Sequence, residues 1–206
     1  MPRLSDRDAR RGEILAALLR IAGERGLHAV SMRTVAAQAG VSVSTVQYYF
    51  RTKEELLFAG LRHQADIVGR RAVAGMPVDP AEHPRDSLRA WLVQFVPVDA
   101  EQRAAYIVFA AYHALALTDP ALAELSYSRD SVQLERALCE LVAAAQRSGA
   151  VPAERDADAE AGNLLALATG LADSVMAGMR SPETAIALLD YQLDHVFRTP
   201  SAGSVG

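Results

Sequence analysis

Between Ser42 and Lys53 the chain gathers side chains suited to a polyanion and to the edges of bases: Ser44, Thr45, Gln47, Tyr48, Tyr49 and Lys53. A glutamine amide can pair bidentately with adenine. Serine and threonine hydroxyls donate or accept as needed, and the Thr45 methyl can meet a thymine methyl. Tyrosine hydroxyls and the Lys53 ammonium suit phosphate oxygens, contacts that set register without reading sequence. A helix opening at Ser42 adds unpaired amides at its N-terminus, which favour phosphate. The chemistry on offer is recognition, not bond breaking.

Little elsewhere suggests catalysis. Cys139 and His113 both fall on helical segments, but Cys139 stands beside Leu138, Leu141 and Val142, the setting of a core residue and not of an activated thiolate. There is no glycine-rich phosphate loop, nucleophile elbow or His-Glu metal motif. A single cysteine excludes a disulfide framework and a multi-cysteine metal site. No metal and no cofactor are expected, and an enzyme is the disfavoured class. The alternative to a nucleic-acid-binding protein is a helical carrier or adaptor that holds a ligand without touching DNA.

The 206 residues are 50% hydrophobic and 22% charged, enough to bury a substantial core and unlike a disordered chain. The net charge of −4 hides an uneven distribution. Residues 1–53 carry nine basic against four acidic side chains, net +5, and the remainder twelve against 21, net −9. A basic head on an acidic body points to a polyanion partner for the head alone. The first thirteen residues are dense in charge and lack the apolar centre of a secretory signal. The longest uncharged apolar run, Ala104 to Thr118, falls short of the roughly 20 residues that span a bilayer. The expectation is a soluble cytoplasmic protein with no membrane partner.

The elements that must position these side chains are helical throughout, and period-2 alternation is nearly absent. Ile14, Leu15, Leu18, Leu19 and Ala22 form one stripe, stopped at Gly26. Ser31 caps a helix that ends at Gly40, and Ser42 caps Val43 to Phe50. Thr52-Lys53-Glu54-Glu55 reads as a capping box, with the Glu55 carboxylate reaching back to the Thr52 amide, and starts a helix running to about Ala74. Three prolines between Met76 and Pro84 mark a loop. Further helices are expected at Arg85–Val96, Glu101–Leu117, Pro120–Ser148 with Asp119 as cap, Ala157–Met179, and Pro182–Arg198 capped by Ser181. The fold class is all-α with about nine helices, ending in a flexible tail over 199–206.

The turn Ala39-Gly40-Val41-Ser42 joins two short helices held across each other by Val35, Ala36, Val41 and Val46, a helix-turn-helix whose second member keeps one polar face outward. The run from Ser31 through Ser42, and then Val43-Ser44-Thr45-Val46-Gln47-Tyr48-Tyr49-Phe50-Arg51-Thr52-Lys53-Glu54-Glu55-Leu56-Leu57, resembles the N-terminal signature of TetR-family transcriptional regulators over about 45 residues, Ile14 to Leu61. The resemblance implies DNA contacts by Arg33 on the first of the two helices, by Val43, Ser44, Thr45, Gln47, Tyr48 and Tyr49 on the second, and by Lys53. Gln47 stands where many members have an aromatic residue, and Val43 where a polar one is frequent, so no operator sequence carries over. Trp91 and Phe95, the Tyr106–His113 stretch, Gly170-Leu171-Ala172-Asp173, Ser181-Pro182-Glu183 and Leu188-Leu189-Asp190 are similar to a BetI-type C-terminal domain. The division expected is a DNA-binding domain at 1–53 and an effector-binding and dimerisation domain at 54–198, with 54–74 as connecting helix.

Two further expectations concern the C-terminal half. Leu164, Ala168, Leu171 and Val175 form one apolar stripe, and Ala161, Leu165, Ala172 and Met176 another. The final helix adds Ile186, Leu189, Leu193 and Val196 or Phe197. A single chain would leave one stripe open, which marks an interface. The resemblance implies that the last two helices pair with their symmetry mates in a homodimer, placing two reading helices about one DNA turn apart. A small-molecule effector is the other partner. Trp91, Phe95, Tyr106 and Phe109 supply aromatic area, and His113, Tyr127, Asn163 and Asp173, with Met176, supply the polar and soft groups of a pocket. Aromatic faces together with Asp173 would suit a cation. Such a protein would be a repressor released from a pseudo-palindromic operator by its effector.

Overall fold

The computed structural model describes residues 4–80, 82–118 and 128–197. Tyr127, the expected cap Asp119 with Pro120, and the tail 199–206 lie outside the described residues. Nine α-helices are described: α1 Leu4–Arg25, α2 Met32–Ala39, α3 Val43–Tyr49, α4 Lys53–Ala74, α5 Pro84–Leu92, α6 Ala100–Ala116, α7 Ser128–Arg147, α8 Ala157–Met176 and α9 Pro182–Phe197. Short 3-10 turns cover Leu27–Ala29 and Val93–Phe95. No strand occurs among the described residues.

Two helix ends depart from expectation by more than one residue, and one cap closes differently, each for a local reason. α5 stops at Leu92 and tightens into the 3-10 turn, because Val96, preceding Pro97, is held extended at φ −79° and ψ 117°. α8 stops at Met176, not Met179: Gly178 turns left-handed at φ 73°, and the Met179 amide closes on the Ser174 carbonyl at 2.9 Å. At the start of α4 the Glu55 amide donates to Thr52 Oγ1 at 3.1 Å as a capping box requires, but the Glu55 carboxylate accepts from the Arg51 amide at 2.7 Å and not from that of Thr52.

The described residues form two compact units, 4–67 with 98–118, and 68–80 and 82–97 with 128–197. In the first, Ile14, Leu15, Leu18 and Ile21 of α1 are buried together with Val35, Val46, Phe50, Leu56, Leu57 and Val108. α1 and α6 pack where a Cβ on Gly23 would stand 2.7 Å from that of Ala104, so only glycine permits the approach. In the second, Leu88, Leu92, Leu138, Val142, Leu164, Ala168, Leu189 and Leu193 form the core. α5 is fastened to α9 by two arginines four residues apart facing two aspartates four residues apart. The Arg89 guanidinium donates to both Asp190 oxygens at 2.6 and 3.1 Å, and Arg85 Nε donates to Asp194 at 2.8 Å. The hydrogen bond to Asp190 raises the Arg89 pKa further.

Neither apolar stripe of α8 lies open, contrary to expectation. Leu164, Ala168, Leu171 and Val175 are core, Ala161 and Ala172 are buried, and Leu165 and Met176 are half-buried. On α9, Leu189, Leu193 and Val196 are likewise covered, with Ile186 and Phe197 half-buried. Counting apolar residues cannot separate these faces, because a 20-residue helix packed on two sides is apolar around most of its circumference. What faces outward is a third stripe, Asn163, Ala166, Gly170 and Asp173, and on α9 Thr184, Leu188, Tyr191 and His195.

Cys139 on α7 is half-buried, and its thiol donates to Asp158 at 2.9 Å. That hydrogen bond, reinforced by burial and the carboxylate charge, pushes the thiol up to about 11. Relative to an ordinary cysteine this leaves roughly a hundredfold less thiolate at neutral pH. Greater nucleophilicity of the basic thiolate recovers about tenfold of the loss. Alkylation by iodoacetamide is therefore expected to run about tenfold slower than for a free thiol and to keep rising past pH 10. Asp158→Asn should return the midpoint to the ordinary range, and an unchanged pH–rate profile in that variant would refute the assignment.

Candidate nucleic-acid interface

Ser31 opens α2 with a reciprocal cap: its hydroxyl accepts the Thr34 amide at 3.1 Å, and Thr34 Oγ1 accepts the Ser31 amide at 2.9 Å while donating to the Ala29 carbonyl at 2.7 Å. Gly40 closes α2 in the left-handed region, φ 67° and ψ 31°, and the Val41 amide bonds back to the Ala36 carbonyl at 3.0 Å. A side chain at that φ would be strained, which is why the turn uses glycine. Ser42 then caps α3, its hydroxyl accepting the Thr45 amide at 3.0 Å. Val35, Ala36 and Val46 are buried where the helices cross, and Val41 is half-buried.

With Val46 and Phe50 turned inward, α3 presents Val43, Ser44, Gln47 and Tyr48 to solvent, Tyr48 with 68% of its surface exposed. Thr45 and Tyr49 are half-buried. The Ser44 and Thr45 hydroxyls both lie on Ser42 Oγ, at 2.8 and 2.7 Å, so part of their bonding capacity is engaged in the cap. Arg33 is exposed on α2, and Lys53 is half-buried as the first residue of α4. All eight DNA-contact candidates thus belong to the first unit, and five of them (Arg33, Val43, Ser44, Gln47 and Tyr48) are open to solvent.

The sequence did not single out α1 as part of this surface. Arg7 Nη2 donates to the Tyr48 hydroxyl at 3.1 Å, and its guanidinium carbon lies 5.7 Å from the Tyr48 ring centre. One turn on, the Arg11 guanidinium stands 5.5 Å from the centre of the Phe50 ring. The i, i+4 spacing of Arg7 and Arg11 was the available signal; reading α1 from its apolar stripe, which begins at Ile14, passed over it. Behind the aromatic run a groove of about 330 Å³ is lined by Arg11, Phe50, Glu55, Phe58, Arg62 and Asp66, two arginines against two carboxylates.

The effector candidates fall into separate groups. On α6 in the first unit, Tyr106 and Phe109 lie 6.0 Å apart, and Phe109 stacks on His113 at 5.9 Å with planes 10° apart, a ladder along one helix face. In the second unit, Trp91 and Phe95 pack half-buried against the core, and Met176 is half-buried. Asn163 and Asp173 are exposed on the outward stripe of α8.

A family model described as bacterial regulatory proteins, tetR family, matches residues 14–59, and one described as BetI-type transcriptional repressor, C-terminal, matches residues 84–198, more than half of the chain. The chain belongs to the TetR family. This TetR-family member is a transcriptional regulator with a helix-turn-helix DNA-binding domain and a BetI-type C-terminal domain. It is 28% identical to the HTH-type transcriptional regulator PksA of Bacillus subtilis over 172 residues, 84% of this chain and 81% of that protein. Against the HTH-type transcriptional regulator BetI of Rhizobium meliloti it is 35% identical over 115 residues, 53% of this chain and 54% of the relative. The fold matches that of a TetR-family transcriptional regulator from Rhodococcus sp. with a TM-score of 0.81 at 24% identity, covering 93% of this chain and 100% of the other. A transcriptional regulator from Saccharomonospora viridis, crystallised in complex with choline, superposes with a TM-score of 0.77 at 25% identity, covering 91% and 97%. In this TetR-family chain no helix among the described residues is long and apolar enough to cross a membrane, and no group of three or more His, Cys, Asp or Glu there could hold a metal ion.

Proposed function

We propose that the protein is a homodimeric repressor that grips a pseudo-palindromic operator when unliganded and releases it on binding a small organic cation. The observation that carries this reading is the outward polar face of α3, Ser44, Gln47 and Tyr48, on a capped helix within a net-positive head. Gln47 reads a base edge, Tyr48 and Lys53 take phosphates, and Arg33 adds a further phosphate contact from α2.

Dimerisation uses the outward stripes of α8 and α9. Ala166 and Gly170 let a second helix approach closely, while Leu188 at 38% and Tyr191 at 66% exposure supply apolar area without a cover in the single chain. Asn163 and Asp173 lie on that seam and are assigned to it in preference to the pocket. The remaining effector candidates stand as two sets, Tyr106, Phe109 and His113 in the first unit and Trp91, Phe95 and Met176 in the second. Aromatic faces attract a quaternary ammonium, and the choline-bound regulator of similar fold supports that class of ligand. α4, one unbroken 22-residue helix from Lys53, carries the change from ligand to head, driven only by the ligand's differing affinity for the two states.

Replacing both Arg33 and Lys53 by alanine is the discriminating experiment. Each charged hydrogen bond to phosphate contributes about 1.5–3 kcal/mol, so DNA affinity should fall at least tenfold, while choline affinity measured by calorimetry stays unchanged. A ligand carrier would lose nothing, and wild-type protein that binds no duplex would end the repressor reading.

A further inference from the structure

We propose that Arg7 is a positioning residue of the reading surface: it holds Tyr48 in place and, with the Tyr48 hydroxyl, forms a two-donor site for one backbone phosphate in each half-site. This rests on the DNA-binding reading above and extends it to a helix outside the helix-turn-helix.

Tyr48 is 68% exposed. A side chain that open has little packing to fix its rotamer, and fixing it on binding carries an entropic cost. Two contacts restrain it, one from its neighbour on α3 and one from a different helix. Tyr49 meets it edge-on, with ring centres 5.3 Å apart and planes at 87°, and Arg7, 41 residues away in sequence, both bonds its oxygen and stands beside its ring. The direction of that bond matters. The Tyr48 oxygen accepts from Arg7, so its own proton remains available to donate, and an accepted hydrogen bond polarises a hydroxyl toward stronger donation. The guanidinium spends one of its five N–H donors on Tyr48, leaving others for the same anion. Neighbouring arginines on α1 are committed elsewhere: Arg10 pairs with Glu13 at 2.6 Å, and Arg11 lies over buried Phe50, anchoring α1 in register with the end of α3.

The test is a double-mutant cycle with full-length protein and a duplex that the wild type selects from a random-sequence pool. Arg7→Ala and Tyr48→Phe should each weaken binding about tenfold, and the double variant should lose little more than either alone, because each side chain acts through the other. Arg7→Ala should also lower the slope of log K against log salt by about 0.9 per head. Arg7→Lys should keep the slope yet lose affinity, since an ammonium cannot bond the hydroxyl and fork onto a phosphate together. Both positions are exposed, so thermal unfolding should not move. Multiplicative losses near a hundredfold, or an Arg7→Ala slope equal to wild type, would overturn the proposal while leaving DNA binding intact. A wild type that enriches no sequence would overturn both.

Discussion

Raising salt from 50 to 200 mM should weaken operator binding by roughly 10³–10⁵, the response of on the order of 6–10 neutralised phosphates. The head is built for such a response. Residues 1–53 carry a net charge of +5, and the proposed two-fold dimer would bring two such heads to one duplex. Base-edge hydrogen bonds from Gln47 add discrimination but release no counterions, so they leave the slope unchanged. The measurement is fluorescence anisotropy on a fixed duplex at five or so salt concentrations. A flat response would mean that the basic head does not meet phosphate, whatever else the protein binds.

The largest stability effect should come from Glu160→Ala. Arg155 Nη1 pairs with Glu160 at 2.6 Å, and Nη2 donates to the His195 carbonyl at 2.8 Å, tying the loop before α8 to the last turn of α9. The two side chains are only 19% and 14% exposed. Removing one partner of so enclosed a pair strands the other charge and costs about 3–5 kcal/mol. That corresponds to a fall in Tm of roughly 6–20 °C for a chain of this size. Arg85→Ala provides the contrast, since its pair with Asp194 is 32% and 51% exposed and such pairs contribute about 0–1 kcal/mol. Equal losses for the two variants would show that enclosure does not govern these ion pairs.

Most helix boundaries were legible because their stop signals are local. Ser31, Gly40, Ser42, Thr52 and Ser181 each act within four residues, and the structure uses every one of them. The partner of the Glu55 carboxylate was misplaced by one residue, because two adjacent amides compete and the sequence does not say which lies nearer. The outward face of α8 was not legible: which side of an apolar helix is covered depends on how α5, α7 and α9 dock against it, and no local signal specifies that docking. Arg7 was missed for the same reason, its partner lying 41 positions away. The outward polar face of α3 was legible because its candidates share one short helix whose inward residues, Val46 and Phe50, are unmistakably apolar.

The subdued thiol of Cys139 has a practical consequence. With the chain's one native sulfhydryl slow to react, a cysteine placed at an exposed site such as Glu24 on α1 would take a maleimide dye or nitroxide almost alone. Spectroscopic rulers between two such tags, one on each protomer of the proposed dimer, would then follow the separation of the heads as the proposed cationic effector is titrated in, with the native background intact.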